Sequence, residues 1–376
     1  MISKELLKPI LSWPKEGKLP ICVACDVGGS GTFVRLSSFF DEKKYIDLPK
    51  LQTQRASDLV RALYTVSTDL KSVSPDVETR GSSLSVAGPI SDNTVIFTNW
   101  PGHISRRTLS LNDLPDFLFP KDRSKFLNDT ESTAYGLLEV DKLGMINDYF
   151  VKLFPETSPK GGPVNERRTA VLSVGTGLGC SLIVQTPLFN RFVVCPTELG
   201  HLELPICGHR SADYQFETSL VNHISSRLYD GELAIEFEDI TSGKGLCNVY
   251  QYLVWKNNNK MLPVSTLEGA EIARLAKTKE DPLAYQALVI FNQMIVRAAK
   301  TISTTMNCDS VILASDNQVD NYHIIRDNNE IMKNEFYSYI RPDWMKTITI
   351  FTQTKKMNFN LYGTSHIAHK LANDKK

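Results

Sequence analysis

The sequence predicts an α/β protein of two domains built from two related halves. Three observations predict it. First, two stretches each read as strand, glycine turn, strand: Ile21 to Leu36 around Asp26-Val27-Gly28-Gly29-Ser30-Gly31-Thr32, and Val171 to Val184 around Gly175-Thr176-Gly177-Leu178-Gly179. They lie about 147 residues apart, as expected of two halves facing one polyphosphate. Second, short apolar runs alternate with helical stripes along the rest of the chain. Third, 376 residues is the length of two or three domains with a large core.

Taken in order, Met1 to Pro20 is a lead-in broken by Pro9, Pro14 and Pro20, with a short helix at Ser3 to Lys8. The first hairpin follows, then a strand through Tyr45-Ile46-Asp47-Leu48. Ser57 to Ser72 is a helix, because Leu59, Val60, Leu63, Val66 and Leu70 fall on one stripe. Ser82 to Val86 is a strand stopped by Gly88-Pro89, and Val95 to Thr98 another, ended by Asn99-Trp100-Pro101-Gly102. Lys125-Phe126-Leu127 enters Asn128-Asp129-Thr130-Glu131, where a strand ends and a capped helix starts. Pro155 to Arg168 is a surface loop before the central hairpin. The short apolar run Phe192-Val193-Val194 leads to Glu198-Leu199-Gly200-His201. Beyond it the chain is mostly helical. One helix opens at Thr241-Ser242-Gly243-Lys244-Gly245, one at a Ser265-x-x-Glu268 capping box, one at Asp281-Pro282, and the last at Gly363-Thr364. Strands run through Val311 to Ala314 and Thr347 to Phe351.

Composition removes several function classes. Lys+Arg 42 balances Asp+Glu 42, which argues against a nucleic-acid or membrane-surface partner. No run of about eighteen apolar residues spans a membrane. The N-terminus lacks a secretory h-region and the C-terminus a peroxisomal address. Seven cysteines without framework spacing fit a reducing compartment, the cytoplasm. Cys22-x-x-Cys25 sits inside an apolar strand, so a redox or metal role is not expected. Cys195, His201, Cys207 and His209 lack paired-ligand spacing, and no zinc is expected.

The glycine clusters let backbone N–H groups approach an anion with no Cβ in the way. Taken alone, the central one reads equally as an ordinary glycine-rich hairpin. A dinucleotide fingerprint fails, because Cys180 stands where the third glycine belongs and a strand follows instead of a helix. No Gly-Lys-Ser/Thr follows the first cluster, which excludes a Walker loop.

Asp26 with its glycine hairpin, Asn128-Asp129, the 175–179 hairpin and Glu198-x-x-His201 occur in this order. The ordered set resembles the bacterial-type glucokinases, in the clan of hexokinase, actin and Hsp70 chaperones, from about 20 to 371. Thr98-Asn99-Trp100 is similar to that family's sugar loop, and Glu238 upstream of Ser242-Gly243-x-Gly245 to its last sugar contact. The resemblance implies a ribonuclease-H-like (actin-like ATPase) fold with a cleft. Its small domain covers 1–126, completed by the C-terminal helix 360–376, and its large domain 127–359. It implies ATP-dependent phosphorylation of glucose at the 6-hydroxyl. Asn99, Asn128, Asp129, Glu198, His201 and Glu238 would hold the sugar, with Asp129 as catalytic base. A hexose is neutral and rich in hydroxyl donors, which suits carboxylate and amide acceptors. Gly28, Gly29, Ser30, Gly31, Thr32, Gly175, Thr176 and Gly177 would bind ATP phosphates, with Gly243, Ala314 and Ser315 at the nucleotide. Asp26 would orient Mg2+ through water.

Two features depart from the pattern. Ala314-Ser315-Asp316 stands where the family often has a glycine pair, and only Cys207-Gly208 remains of the related repressor/kinase group's Cys-x-Cys-Gly zinc pattern. The alternatives are a kinase for another hexose or amino sugar, a sugar-responsive regulator, and a catalytically dead sensor. Twenty-five residues before Asp26 cannot hold a helix-turn-helix module, and an intact Asp129 with both hairpins argues against a dead sensor. The oligomeric state stays open, a homodimer included.

Overall fold

The computed structural model describes residues 4–374 except 158, 160, 165–166, 187–190 and 259–266. The chain divides into two units, Met1–Met145 with Asn358–Lys376, and Ile146–Met357.

The first unit is organised on a five-stranded sheet. Its spatial order is Tyr45–Asp47, Gly31–Ser38, Leu19–Gly28, Val77–Val86, Ser124–Asn128. The first glycine hairpin supplies the antiparallel pair, and the two later strands add in parallel. Leu19–Gly28 is buried along nearly its whole length, which is why it reads as a continuous apolar run. The helix Ala56–Val73 buries Leu59, Leu63, Val66 and Leu70, the expected stripe. The expected short strand at 82–86 extends back to Val77, through Glu78 and Arg80, whose polar side chains hid it. The short strands Ile90–Ser91, Thr94–Ile96 and Thr108–Ser110 form a separate small sheet.

The second unit repeats that order. Arg191–Thr197, Leu178–Thr186, Arg168–Val174, Ser310–Leu313 and Thr349–Gln353 lie side by side, with Phe150–Lys152 added at the far edge. The central hairpin again supplies the antiparallel pair, and Ser310–Leu313 and Thr349–Gln353 run parallel to it. Two sheets with one order, each led by a glycine hairpin, make the related halves predicted from the sequence. The 24-residue helix Pro282–Thr305 crosses this unit, started by Asp281, whose side chain accepts from the Leu283 and Ala284 N–H groups. It buries Arg297 between Glu217 and Glu335, tying three helices together.

The boundary differs from the expected 126/127 break. The helix Asp129–Lys142 lies in the first unit because it packs on the last helix, Phe359–Asn373. The two helices meet through Gly136 and Gly363: a Cβ on Gly136 would strike the Phe359 carbonyl, and one on Gly363 the Ser132 carbonyl. The last helix starts at Phe359, ahead of the expected Gly363, because Asn358 caps it by accepting from the Leu361 N–H at 2.9 Å. Ser265 of the expected capping box lies outside the described residues, and that helix runs Gly269–Thr278.

Candidate active site

In the first unit, the site residues collect at the carboxyl ends of parallel strands. Val27, Val86 and Asn128 are in register, so Asp26 and Asp129 sit at the same edge of the sheet. The Asp26 carboxylate accepts from Asn358 Nδ2 at 2.9 Å and Asn360 Nδ2 at 3.2 Å. Burial pushes its pKa up, and the two amides and the Lys50 charge pull against that. The Asn360 carbonyl accepts from Thr133 Oγ1 at 2.6 Å, and that hydroxyl also lies 3.1 Å from the Asp129 carbonyl oxygen. A polar chain therefore leads from Asp26 to the start of the Asp129 helix. The N-cap of that helix is Asn128, not Asp129: its Oδ1 accepts from the Thr130 N–H at 2.9 Å. Asp129 is the first helical residue and half-buried. With its carbonyl occupied by the cap, Asn128 presents its amide N–H groups, a donor rather than the expected acceptor.

Asn99 packs on the first hairpin, 3.4 Å from where a Gly29 Cβ would lie. Trp100 anchors that loop, stacked on Phe97 at 3.8 Å with its indole N–H donating to the Gly28 carbonyl at 3.3 Å. The Asn99 Oδ1 is buried and accepts no hydrogen bond, an acceptor awaiting a donor. At the hairpin tip Lys50 donates to Ser30 Oγ at 2.8 Å. Gly28, Gly29, Ser30, Gly31 and Thr32 thus carry a cation that the motif itself did not announce.

In the second unit the central turn holds two different things. Gly175 faces open space and its carbonyl accepts from the Gly243 N–H at 3.0 Å, so the helix Gly243–Asn258 starts on the turn. Gly177 is covered by Glu238: a Cβ there would strike the carboxylate oxygen, which accepts from the Leu178 N–H at 2.9 Å. The central turn is thus shared between the open surface at Gly175 and Thr176 and a bound carboxylate at Gly177. Ala314 and Ser315 follow Ser310–Leu313, the strand parallel to the one entering Gly175. Ser315 caps the helix Asp316–Asp327 with its hydroxyl toward the Gln318 N–H.

Glu198 is 85% exposed on a turn that ends at His201, itself half-exposed. His201 Nδ1 lies 2.7 Å from Glu236 Oε2, and Nε2 3.8 Å from Glu198 Oε2. The Glu236 bond, with the Glu238 and Glu198 charges, raises the His201 pKa against burial. The acid run 236–239 is therefore no solvated face. Glu236 turns to His201, Phe237 is fully buried, Glu238 turns to the hairpin, and Asp239 accepts from Tyr229 Oη at 2.9 and 3.0 Å. Lys50, Glu236, Asn358 and Asn360 were not singled out from the sequence, where no motif marks them. Cys22 and Cys25 lie buried in Leu19–Gly28, and burial pushes the Cys22 thiol up to about 12.

The glucokinase family model matches residues 23–314. Glucokinase 1 and probable glucokinase 2 of Trichomonas vaginalis are 41% and 42% identical to this chain, each match covering 99% of both sequences. The chain belongs to the glucokinase family. The glucokinase of Balamuthia mandrillaris, solved in complex with glucose, superposes with a TM-score of 0.86 at 30% identity, over 98% of this chain and all of that one. As a glucokinase-family member the chain is a hexose kinase. The family match ends at Ala314, where the family's frequent glycine pair gives way to Ala314-Ser315. The last strand and the last helix, with Asn358 and Asn360, lie beyond it. Among the described residues no helix is long and apolar enough to cross a membrane.

Proposed function

We propose that this chain transfers the γ-phosphoryl group of ATP to the 6-hydroxyl of glucose, with Asp129 as the base. The observation that carries it is the placement of Asp129, a half-buried carboxylate at a strand end whose helix is started by a different residue, Asn128. The Asp129 carboxylate, oriented by the Thr130 N–H that donates to its Oδ1 at 2.8 Å, would take the proton of the 6-hydroxyl and hold that oxygen in line. A positioned base of this kind contributes about 10²–10⁴-fold. The oxygen–phosphorus bond forms as the bond to the β-phosphate breaks, ADP leaves, and the proton passes to Asp129.

Asn99 would accept from a sugar hydroxyl through its unfilled Oδ1, and Asn128 would donate through its amide. Glu198, His201 and Glu238 supply the remaining sugar contacts. Ser30, Lys50, Gly175 and Thr176 would meet the phosphates, with Gly243, Ala314 and Ser315 at the nucleoside. The expected Thr32 is fully buried, its N–H on the Leu51 carbonyl and its hydroxyl 2.8 Å from that of Thr53, which takes it out of the set. Asp26 would suit a hydrated Mg2+, since two amides already occupy part of its carboxylate and it would hold the cation through a water rather than directly. When bound, that cation neutralises charge on the phosphate oxygens.

The test is sugar-dependent ADP release by the purified protein across a panel of hexoses, amino sugars and phosphate donors. Glucose with ATP should give the highest kcat/KM. A tenfold preference for another sugar or donor would reassign the substrate. In the same assay Asp129→Asn should lose at least about 10²-fold in kcat while glucose still binds, and near-normal turnover would place the base elsewhere.

A further inference from the structure

We propose that Glu236 is the positioning residue for His201, and that it makes glucose recognition depend on the protonation of that imidazole. The role rests on the sugar contact proposed for His201. The pair is held by backbone as well as side chains. The Leu204 N–H donates to the Ile235 carbonyl at 2.8 Å and the Phe237 N–H to the Leu202 carbonyl at 3.0 Å, so segment 235–237 lies alongside 202–204. Phe237, fully buried, anchors that segment, and the Glu236 N–H donates to Asp239 Oδ2 at 2.9 Å. Tyr229 and the Asn248 side chain hold Asp239 in turn. Glu236 thus meets Nδ1 from a fixed backbone.

Chemistry follows from that contact. In the neutral ring Nδ1–H donates to Glu236, which leaves Nε2 as the acceptor turned toward Glu198. A sugar hydroxyl can then donate to Nε2. Protonation removes that acceptor. Three carboxylates face the ring: Glu236 from the adjoining segment, Glu198 from the ring's own turn and Glu238 from the helix turn that follows. All three favour the imidazolium, so His201 titrates above its ordinary value of 6.5. Glucose affinity should therefore fall as pH drops through that raised pKa. The carboxylate gives the ring its orientation and also sets where its acceptor is lost.

The experiment measures glucose KM and kcat from pH 5.5 to 9 for the wild type, Glu236→Gln, Glu236→Leu and His201→Gln. It also follows the His201 imidazole by NMR titration in the first two. The amide of Glu236→Gln still accepts from Nδ1–H but carries no charge. Its acid-side rise in glucose KM should move to lower pH together with the NMR titration of His201, at unchanged kcat. Glu236→Leu removes the acceptor, and its glucose KM should rise about tenfold at all pH values. If Glu236→Leu does not fold, the Glu236→Gln profile decides alone. If His201→Gln raises glucose KM while the Glu236→Gln profile coincides with the wild type, the positioning role is overturned and the sugar contact of His201 stands. If His201→Gln leaves glucose KM unchanged, the sugar contact itself falls, and the role of Glu236 with it.

Discussion

Gly177→Ala separates the two jobs packed into the central turn. The added Cβ would occupy the place of the Glu238 carboxylate oxygen, and it would stand 3.0 Å from the carboxyl carbon. Neither Gly175 nor Gly177 has a positive φ, so the backbone accepts alanine without strain. The obstacle is the far end of a flexible side chain. Glu238 turns away, at an off-rotamer cost of about 0.5–1.5 kcal/mol. What is lost is the bond from the Leu178 N–H to Glu238, 2.9 Å long and charge-assisted. Such a bond is worth about 1.5–3 kcal/mol net. If Glu238 receives a sugar hydroxyl from that position, glucose affinity falls by about ten- to 150-fold at 1.4 kcal/mol per decade. The assay couples glucose 6-phosphate formation to NADP reduction, varying glucose at saturating ATP and then the reverse. Glucose KM should rise within that range, ATP KM should change by less than about threefold, and the melting temperature by only a few degrees. A collapse of ATP affinity with glucose KM unchanged would refute the reasoning. It would return Gly177 to the phosphates and make Glu238 a structural carboxylate.

Three further outcomes follow from other contacts. Lys50→Met removes the cation held on Ser30 and should raise ATP KM about tenfold with glucose KM unchanged; equal KM values would make Lys50 a surface charge. Arg297→Ala strands Glu217 and Glu335 and should cost about 3–5 kcal/mol in urea unfolding, whereas a loss near zero would mean that water already solvates the trio. Burial alone would raise the Glu335 carboxyl, but Arg297 and Lys300 outweigh it and hold it at about 2, below its ordinary 4.5. A depressed carboxyl contributes stability above its unfolded pKa and loses it as pH falls through the folded one. Unfolding free energy should therefore decline between about pH 4.5 and 2, and a flat curve there would contradict the pairing.

Local features of the chain were legible wherever a neighbour in sequence decides the conformation. Asp281-Pro282 starts a helix because a carboxylate caps and proline fixes φ, and both act within one turn. The glycine hairpins declare themselves for the same reason, and their repetition announced two sheets of one topology. The ordered motifs placed Asp26, Asn128 and Asp129 at strand ends, where the structure has them. The strand-like character of Val77 to Gly81 was not legible, because polar residues fill positions that parallel pairing with Leu19–Gly28 makes extended.

The sequence by itself determined the hairpins, the helix starts where the cap lies next to the first turn, as at Asp281-Pro282, and the family. Only the tertiary structure decided what each polar group faces. Glu238 meets Leu178 across 60 residues, and Asn358 and Asn360 meet Asp26 across 332 and 334. The acid run 236–239 shows why. Its three carboxylates look alike as charge, yet a short turn sends them to an imidazole, a hairpin N–H and a tyrosine, with Phe237 between them in the core. The domain boundary was set in the same way, by two glycines that let distant helices touch backbone to backbone. Periodicity and propensity act over a few residues, whereas the direction of a side chain and its partner depend on the packing of the whole unit.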